Sequence, residues 1–505
     1  MPRITSIGPI AVLACLAMAV GQPAASDITG PMPGVAAELA ALAAQGTGKV
    51  EPYFFAVAPL GFAERASYDV ELQPRVPARA ESLALARLLP FSLVLDVALA
   101  KASLQTLDGI ADAQGDQDAS AIYFEQGPVF LSDIRAALVQ LALPLDGAAA
   151  PGALTLLRPL VLSSRATLVL LPGERLVLDR AAGAFLLAAG GMIIDHASIV
   201  GSAPPNAHEE NFRPFVLANA TTGPVEVSGA QFERLGFGSD PRSAGISVTG
   251  GSAEPGRRSF VQDSSFSEMG SLSLVDAAQS TIRRNVFSRP FNTALAIATS
   301  ASIIVDGNAV IGAEPGHGIK LGPNATDILV SDNIIAKSNK HGLLLEGNTT
   351  GSVIFNNLLF ENQGSGTAVL GGTCLLLEQN LMLANAADGI MVRNSAGLSL
   401  ETNLIAANRR AGISVGGDSG AVRLADNRFE ANKIGLRASS SFDLSLSGND
   451  WLGQTPRLFD GDIAQYTVSM LAGIKSGNGD LSMTGSPMSV SGAATSVSCQ
   501  PEEAI

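Results

Sequence analysis

Apolar residues in most of this chain come in short runs, broken at regular intervals by Asn, Gly and Ser. "NIIAK" (Asn333–Lys337), "GLLLE" (Gly342–Glu346) and "GSVIF" (Gly351–Phe355) are typical. Runs of three to five residues rich in Ile, Val and Leu, with turn-formers between them, predict short strands rather than helices. The punctuation repeats. Asparagine falls at Asn285, Asn308, Asn333, Asn357, Asn380, Asn403, Asn427 and Asn449, at intervals of 22 to 25 residues. A second series follows the same period at Asn339, Asn362, Asn385, Asn408 and Asn432. So does a third, of small residues ahead of an aliphatic run, at Ala294, Gly318, Gly342, Gly366, Gly389, Gly412 and Gly435.

Three series sharing one period mark a solenoid. Three strands and three turns use about 23 residues, which is one coil of a right-handed parallel β-helix, and successive coils lie about 4.8 Å apart. Equivalent residues then stack in columns. The asparagines are expected at corners, bonding turn backbone and one another, and tolerating the left-handed conformation that corners need. The glycines relieve crowding at another corner. The period extends upstream: "QDSSF" (Gln262–Phe266) stands in the Asn285 register, and Gly152–Gly201 reads as early coils. The expected organisation is a signal peptide at 1–26, an N-terminal α/β capping region at 27–150, the β-helix at 151–455, and a C-terminal cap and tail at 456–505. Leu131–Leu145 reads as a helix capping the first coil, because an open coil end is a sheet edge.

Composition refines this picture. Hydrophobic residues make up 47%, aromatics 5% and charged residues 15%, with 53 glycines, so thin regular layers are expected rather than one bulky core. A net charge of −14 excludes general nucleic-acid binding, which needs a basic footprint. Arg3, the apolar stretch Ile7–Val20 and the small residues of "QPAAS" read as a secretory signal cleaved near Ser26. Cys15, after Val12-Leu13-Ala14, leaves a lipid-anchored alternative. No later segment is apolar for long enough to span a bilayer, so the mature chain is expected in the periplasm or secreted. For Cys374 and Cys499, pairing and two free thiols are both open.

Function must come from a site rather than the fold. His317 and His341 each precede the small residue of their coil, so they are expected to stack on adjacent coils; Ser365 and Asp388 continue that column. Two His and an Asp suit proton transfer or a metal, against the plainer reading of a polar corner ladder. No cofactor is implied. Lys320, Lys340, Arg393 and Arg410 are candidates to face a polyanion. The outward column Lys320, Leu344, Ala368, Met391 and Ser414 is mostly apolar, a poor lining for a charged uronate. Residues 318–438 hold ten cations and ten anions, so an anionic glycan would meet least repulsion there.

Arg213–Val248, Asn339–Gly366, "ADGIMVRNSAG" (Ala387–Gly397), "ANRRAGISV" (Ala407–Val415) and "LAGIKSGNGDLSM" (Leu471–Met483) together resemble the periplasmic mannuronan C5-epimerases of alginate biosynthesis. The resemblance implies proton abstraction at C5 of mannuronate within the polymer and return to the opposite face. It also implies a His base in an Asp-Pro-His-Asp-Arg stretch after a Gly-Ile pair, and an Arg one coil later to neutralise the sugar carboxylate. After Gly318-Ile319 this chain instead reads "KLGPNAT". The family's first Asp falls on Lys320, its His on Gly322, its second Asp on Pro323 and its Arg on Asn324; the next coil's Arg falls on Gly347. A base must reach its proton, and Gly322 has no side chain.

The reading these residues favour is an exported β-helix protein of that family that binds or guides an exopolysaccharide, a polyuronate among the candidates. Exopolysaccharide synthesis or export proteins are the expected partners. An epimerase or lyase with a relocated base (His317, His341 or Lys320), and a structural or adhesive surface β-helix, remain as alternatives.

Overall fold

The computed structural model of the chain describes residues 28–62, 72–79, 85–90, 92–94, 112, 120–145, 152–203, 212–238, 240–251, 257–439, 441–476, 480–483 and 499. The expected signal segment lies outside the described residues. Among the described residues, three sheets of 15, 13 and 14 strands are built, and from the second strand on each pairs with the strand three further along the chain. Nearly all pairs are parallel, as in Ile319–Leu321 against Leu343–Leu345. That connectivity is a parallel β-helix of three-stranded coils. Inward residues such as Ile319, Leu343, Ile390, Ile413 and Leu436 are fully or almost fully buried and form one continuous core. Each such side chain contributes about 1.5–3 kcal/mol.

Parallel pairing starts upstream of residue 151. Ser120–Phe124 and Gly127–Phe130 already lie in the first and third sheets, beside Leu160–Leu162 and Ala166–Leu170. It also runs past 455, to Phe459–Gly461. Antiparallel strands close both ends: Ala86–Pro90 on Ser120–Phe124, and Leu481–Met483 on the strand containing Leu444–Leu446. An antiparallel terminal strand covers the hydrogen-bonding edge without extending the parallel stack.

Among the described residues, helices α1 (Met32–Gln45), α2 (Glu51–Val57), α3 (Leu131–Gln140) and α4 (Thr467–Ser476) accompany the strands. The capping helix α3 ends five residues earlier than its apolar pattern suggested. It buries Leu131, Ile134, Ala137 and Leu138 in the main core, and Asp133 accepts the Phe130 N–H at 2.9 Å to cap its first turn. Helices α1 and α2 do something the sequence reading did not foresee. They lie on the outer face of the second sheet, against residues such as Ile311, Ile334, Leu358, Phe360 and Leu383. Those strands are apolar at every position ("AVI", "IIA", "LLF", "LML", "LIA") because both of their faces are covered.

The main asparagine column is continuous. From Asn285 to Asn427, each Asn gives its backbone N–H and Nδ2–H to Oδ1 of the Asn one coil on, at 2.9–3.1 Å. Ser264 extends the column upstream, donating its N–H to Asn285 Oδ1 at 3.0 Å. The left-handed corner residue, however, is the one before each Asn: Arg284, Gly307, Asp332, Asn356, Gln379, Thr402, Asp426 and Gly448. That residue reverses the backbone, so the Asn after it turns inward and spends its amide on the ladder.

The second series differs by one residue. Asn362, Asn385, Asn408 and Asn432 form a ladder that ends on Gln454. Its upstream neighbour is Ser338, whose N–H reaches Asn362 Oδ1 at 3.0 Å, while Asn339 is exposed. The small-residue column is required sterically: a Cβ on Gly342 would lie 2.7 Å from Asn362 Nδ2, and one on Gly389 2.6 Å from Gly412 O. Cys374 and Cys499 are joined in a disulfide, Cα atoms 5.4 Å apart, which ties the chain's end to the third sheet.

Candidate functional site

The outer face of the first sheet, over coils 317–460, carries the candidate residues. Strand alternation and parallel register set three columns side by side. The middle column is Lys320, Leu344, Ala368, Met391, Ser414, Arg437 and Asp460. Two residues further along each strand stand Gly322, Glu346, Leu370, Arg393 and Gly416. At the corner before each strand stand His317, His341, Ser365, Asp388 and Ala411.

In the corner column the His317 and His341 rings stack, centroids 5.4 Å apart and 18° from parallel. His341 Nδ1 accepts the Ser365 N–H at 2.9 Å, which places its proton on Nε2. Asp388 is fully buried. Its Oδ1 accepts the Ala411 N–H at 2.9 Å, with Arg410 Nε 3.9 Å away. Its Oδ2, Ser365 Oγ and His317 Nδ1 are buried with no hydrogen-bond partner among the described residues. Burial, then the His341 ring, Lys340 and Lys320, push the His317 imidazole down to about 4. Burial also lowers His341, against the pull of Asp388. Both rings are therefore neutral at neutral pH. Ser365 separates Asp388 from the pair, and among the described residues no group of three His, Cys, Asp or Glu side chains is placed to hold a metal ion.

The cations split into paired and unpaired. Lys320 Nζ lies 2.5 Å from Glu346 Oε1 on the next coil, so its charge is answered locally. Glu346 was not singled out from sequence, although the register puts it beside the position after Leu321. Arg437 is answered by Asp460 at 2.8 Å. Arg393 is half-buried; it donates to Val392 O at 2.9 Å and Ser414 Oγ at 3.1 Å, and no ion pair to a carboxylate is found for it among the described residues. Burial lowers its pKa, with Asp388 opposing and Arg410 and Arg437 adding. Lys340 and Arg410 are exposed on the corner side of this face. The structure thus groups Arg393, Arg410 and Asp388, and sets Lys320 apart with Glu346.

The positions aligned with the epimerase motif are compact and contain no carboxylate and no histidine; their one titratable side chain is Lys320. Gly322 N–H donates to Ile297 O at 2.6 Å, and Asn324 N–H to Gly347 O at 2.8 Å. A Cβ on Gly322 would make ordinary contacts, 3.4 Å from Ala298 Cβ and Ile297 O. Gly347 is in the left-handed region at φ +64°, and a Cβ there would press on Pro323 at 3.2 Å. The backbone at 322 would therefore admit a side chain, and the backbone at 347 resists one.

A family model described as right handed beta helix region matches residues 317–452. No curated protein matches the chain in sequence. Among solved structures, the periplasmic alginate epimerase AlgG aligns with a TM-score of 0.61 at 17% identity, over 77% of this chain and 99% of that one. The Azotobacter vinelandii mannuronan C-5 epimerase AlgE4 A-module aligns with a TM-score of 0.35 at 13% identity, over 70% of this chain and 94% of its own. The Streptococcus pneumoniae surface protein and adhesin PfbA gives 0.30 at 11% identity, over 70% and 94%. The first of these is a likeness of fold: this chain is a right-handed parallel β-helix. The other two are too distant in shape to carry an argument.

Proposed function

We propose that this chain is an exported β-helix of the mannuronan C5-epimerase lineage that binds or guides an exopolysaccharide along the outer face of its first sheet, without inverting the sugars. One observation carries the proposal. Where the lineage's base is expected, the backbone offers Gly322, flanked by a Lys320–Glu346 pair that neutralises itself. C5–H is weakly acidic unless the neighbouring carboxylate is neutralised, and both the base and the next-coil cation are replaced by glycine.

The two nearby histidines are poor substitutes. His341 uses its Nδ1 lone pair on a backbone N–H, so its Nε2 carries a proton and cannot accept one. His317 is a weak base, its imidazole depressed to about 4, and its Nδ1 is buried. Proteins that synthesise or export the polysaccharide are the expected partners, in the periplasm or outside the cell.

The test is titration calorimetry of the purified chain against acidic polysaccharide fragments. Binding should weaken as salt rises, and Lys340→Glu together with Arg410→Glu should weaken it further. Absence of binding to every glycan tried would leave a structural or adhesive role instead.

A further inference from the structure

Successive coils rise by about 4.8 Å, close to the length of one sugar in an extended glycan. A glycan lying along the solenoid axis would therefore meet roughly one new coil with each sugar. A polyuronate, with a carboxylate on every sugar, calls for a cation on every coil. The first sheet does not provide that. At the first of the central coils Lys320 is held by Glu346. The next coils place the buried Leu344 and Ala368 and the partly exposed Leu370 and Met391 there, none of which can pair with an acid. At the far end Arg437 is held by Asp460. Between these two closed ion pairs stand Arg393 and Arg410, with the buried Asp388 answering only one of the two positive charges. That leaves one unit of positive charge at Arg393 and Arg410, on two adjacent coils, and the exposed Lys340 is a further cation at the corner edge of this face.

We infer that this face takes a glycan whose acidic groups are widely spaced, one for several neutral sugars, with a single acid seated at Arg393 and Arg410. The inference rests on the reading that the face binds a glycan at all. A carboxylate at this site gains a guanidinium that is already half-desolvated and held in place by Ser414 Oγ and Val392 O, which favours a directed ionic hydrogen bond. Neutral sugars on either side lay their C–H faces on the partly exposed Leu370 and Met391. A denser polyanion would bring carboxylates against Glu346 and over aliphatic side chains, where they lose water without gaining a partner.

The experiment is calorimetry of the full chain with three length-matched sets of oligosaccharides: one glucuronate per tetrasaccharide repeat, polymannuronate, and neutral dextran. The sparsely acidic set should bind tightest. Arg393→Gln should weaken that binding by about 10–100-fold, the range for a hydrogen bond to a charged group, and leave dextran binding unchanged. Arg410→Gln is the second variant if Arg393→Gln lowers the unfolding temperature. Polymannuronate binding tighter than the sparsely acidic set would overturn the inference while leaving glycan binding intact. Equal binding of the sparsely acidic and neutral sets would overturn it too. Failure of all three sets to bind would remove the underlying reading as well.

Discussion

Asn380→Ala tests the columns on which every positional statement above depends. Asn380 is fully buried in the middle of the ladder. Its Oδ1 accepts the Asn357 N–H and Nδ2–H, each at 2.9 Å. Its own Nδ2 donates to Ile354 O at 2.8 Å, Glu378 O at 3.0 Å and Asn403 Oδ1 at 3.1 Å. Truncation leaves some of these partners covered. Glu378 O keeps the Asn356 N–H, and Asn403 Oδ1 keeps the Asn380 N–H. The Asn357 backbone N–H loses its acceptor, and the Asn380 Nδ2 bond to Ile354 O has no replacement. One orphaned buried donor costs about 1–3 kcal/mol, and each lost pairing about 0.5–1.5 kcal/mol. The variant should therefore be less stable by about 2–4 kcal/mol. The assay is urea unfolding at unchanged m-value, so that a shift in midpoint reads as stability. Asn339→Ala is the matched control: it shares the residue type and the apparent period, but its side chain is exposed, so the shift should stay within about 0.5 kcal/mol. Equal shifts for the two variants, or none for Asn380→Ala, would refute the register.

Three further outcomes are expected. NMR titration of His317 should give a midpoint near 4, because burial and neighbouring cations disfavour the imidazolium; since the unfolded chain binds that proton at higher pH, stability should fall as pH drops from about 6.5 towards 4, and His317→Gln should flatten that slope. Cys499→Ser should destabilise the chain by about 2–4 kcal/mol and make its C-terminal end more susceptible to limited proteolysis, because the bond to Cys374 holds that end to the third sheet. Installing the epimerase motif as Lys320→Asp, Gly322→His and Gly347→Arg should strain the fold only at Gly347→Arg; loss of stability on Gly322→His alone, by thermal unfolding, would contradict the ordinary contacts a Cβ makes at position 322.

The repeat was legible because a solenoid converts sequence period directly into spatial columns. The coil length, the Asn column, the stacked histidines and the outward column from Lys320 to Ser414 all follow from counting. What counting missed has physical causes. A ladder needs a donor and an inward-turning backbone rather than a particular letter, so Ser338 replaced Asn339 and Gln454 closed the series. The left-handed residue precedes the Asn, and it varies from Arg to Thr because only its backbone is used. The strands of the second sheet spelled out two buried faces, yet nothing in α1 or α2 said that these helices were the cover. At the candidate site, residue types alone placed Lys320 and Arg393 in one class. Only the distances separate a lysine closed by Glu346 from an arginine that, among the described residues, makes no ion pair within contact distance.

The most direct test of the central claim is incubation of the purified protein with polymannuronate in heavy water, followed by proton NMR. The account predicts no deuterium at C5 and no guluronate signals. Base catalysis typically contributes about 10²–10⁴-fold and stabilisation of developing charge about 10²–10³-fold, and Gly322 and Gly347 supply neither. Clear incorporation of deuterium at C5, retained by well-folded His317→Ala and His341→Ala variants or lost in them, would contradict a non-catalytic face.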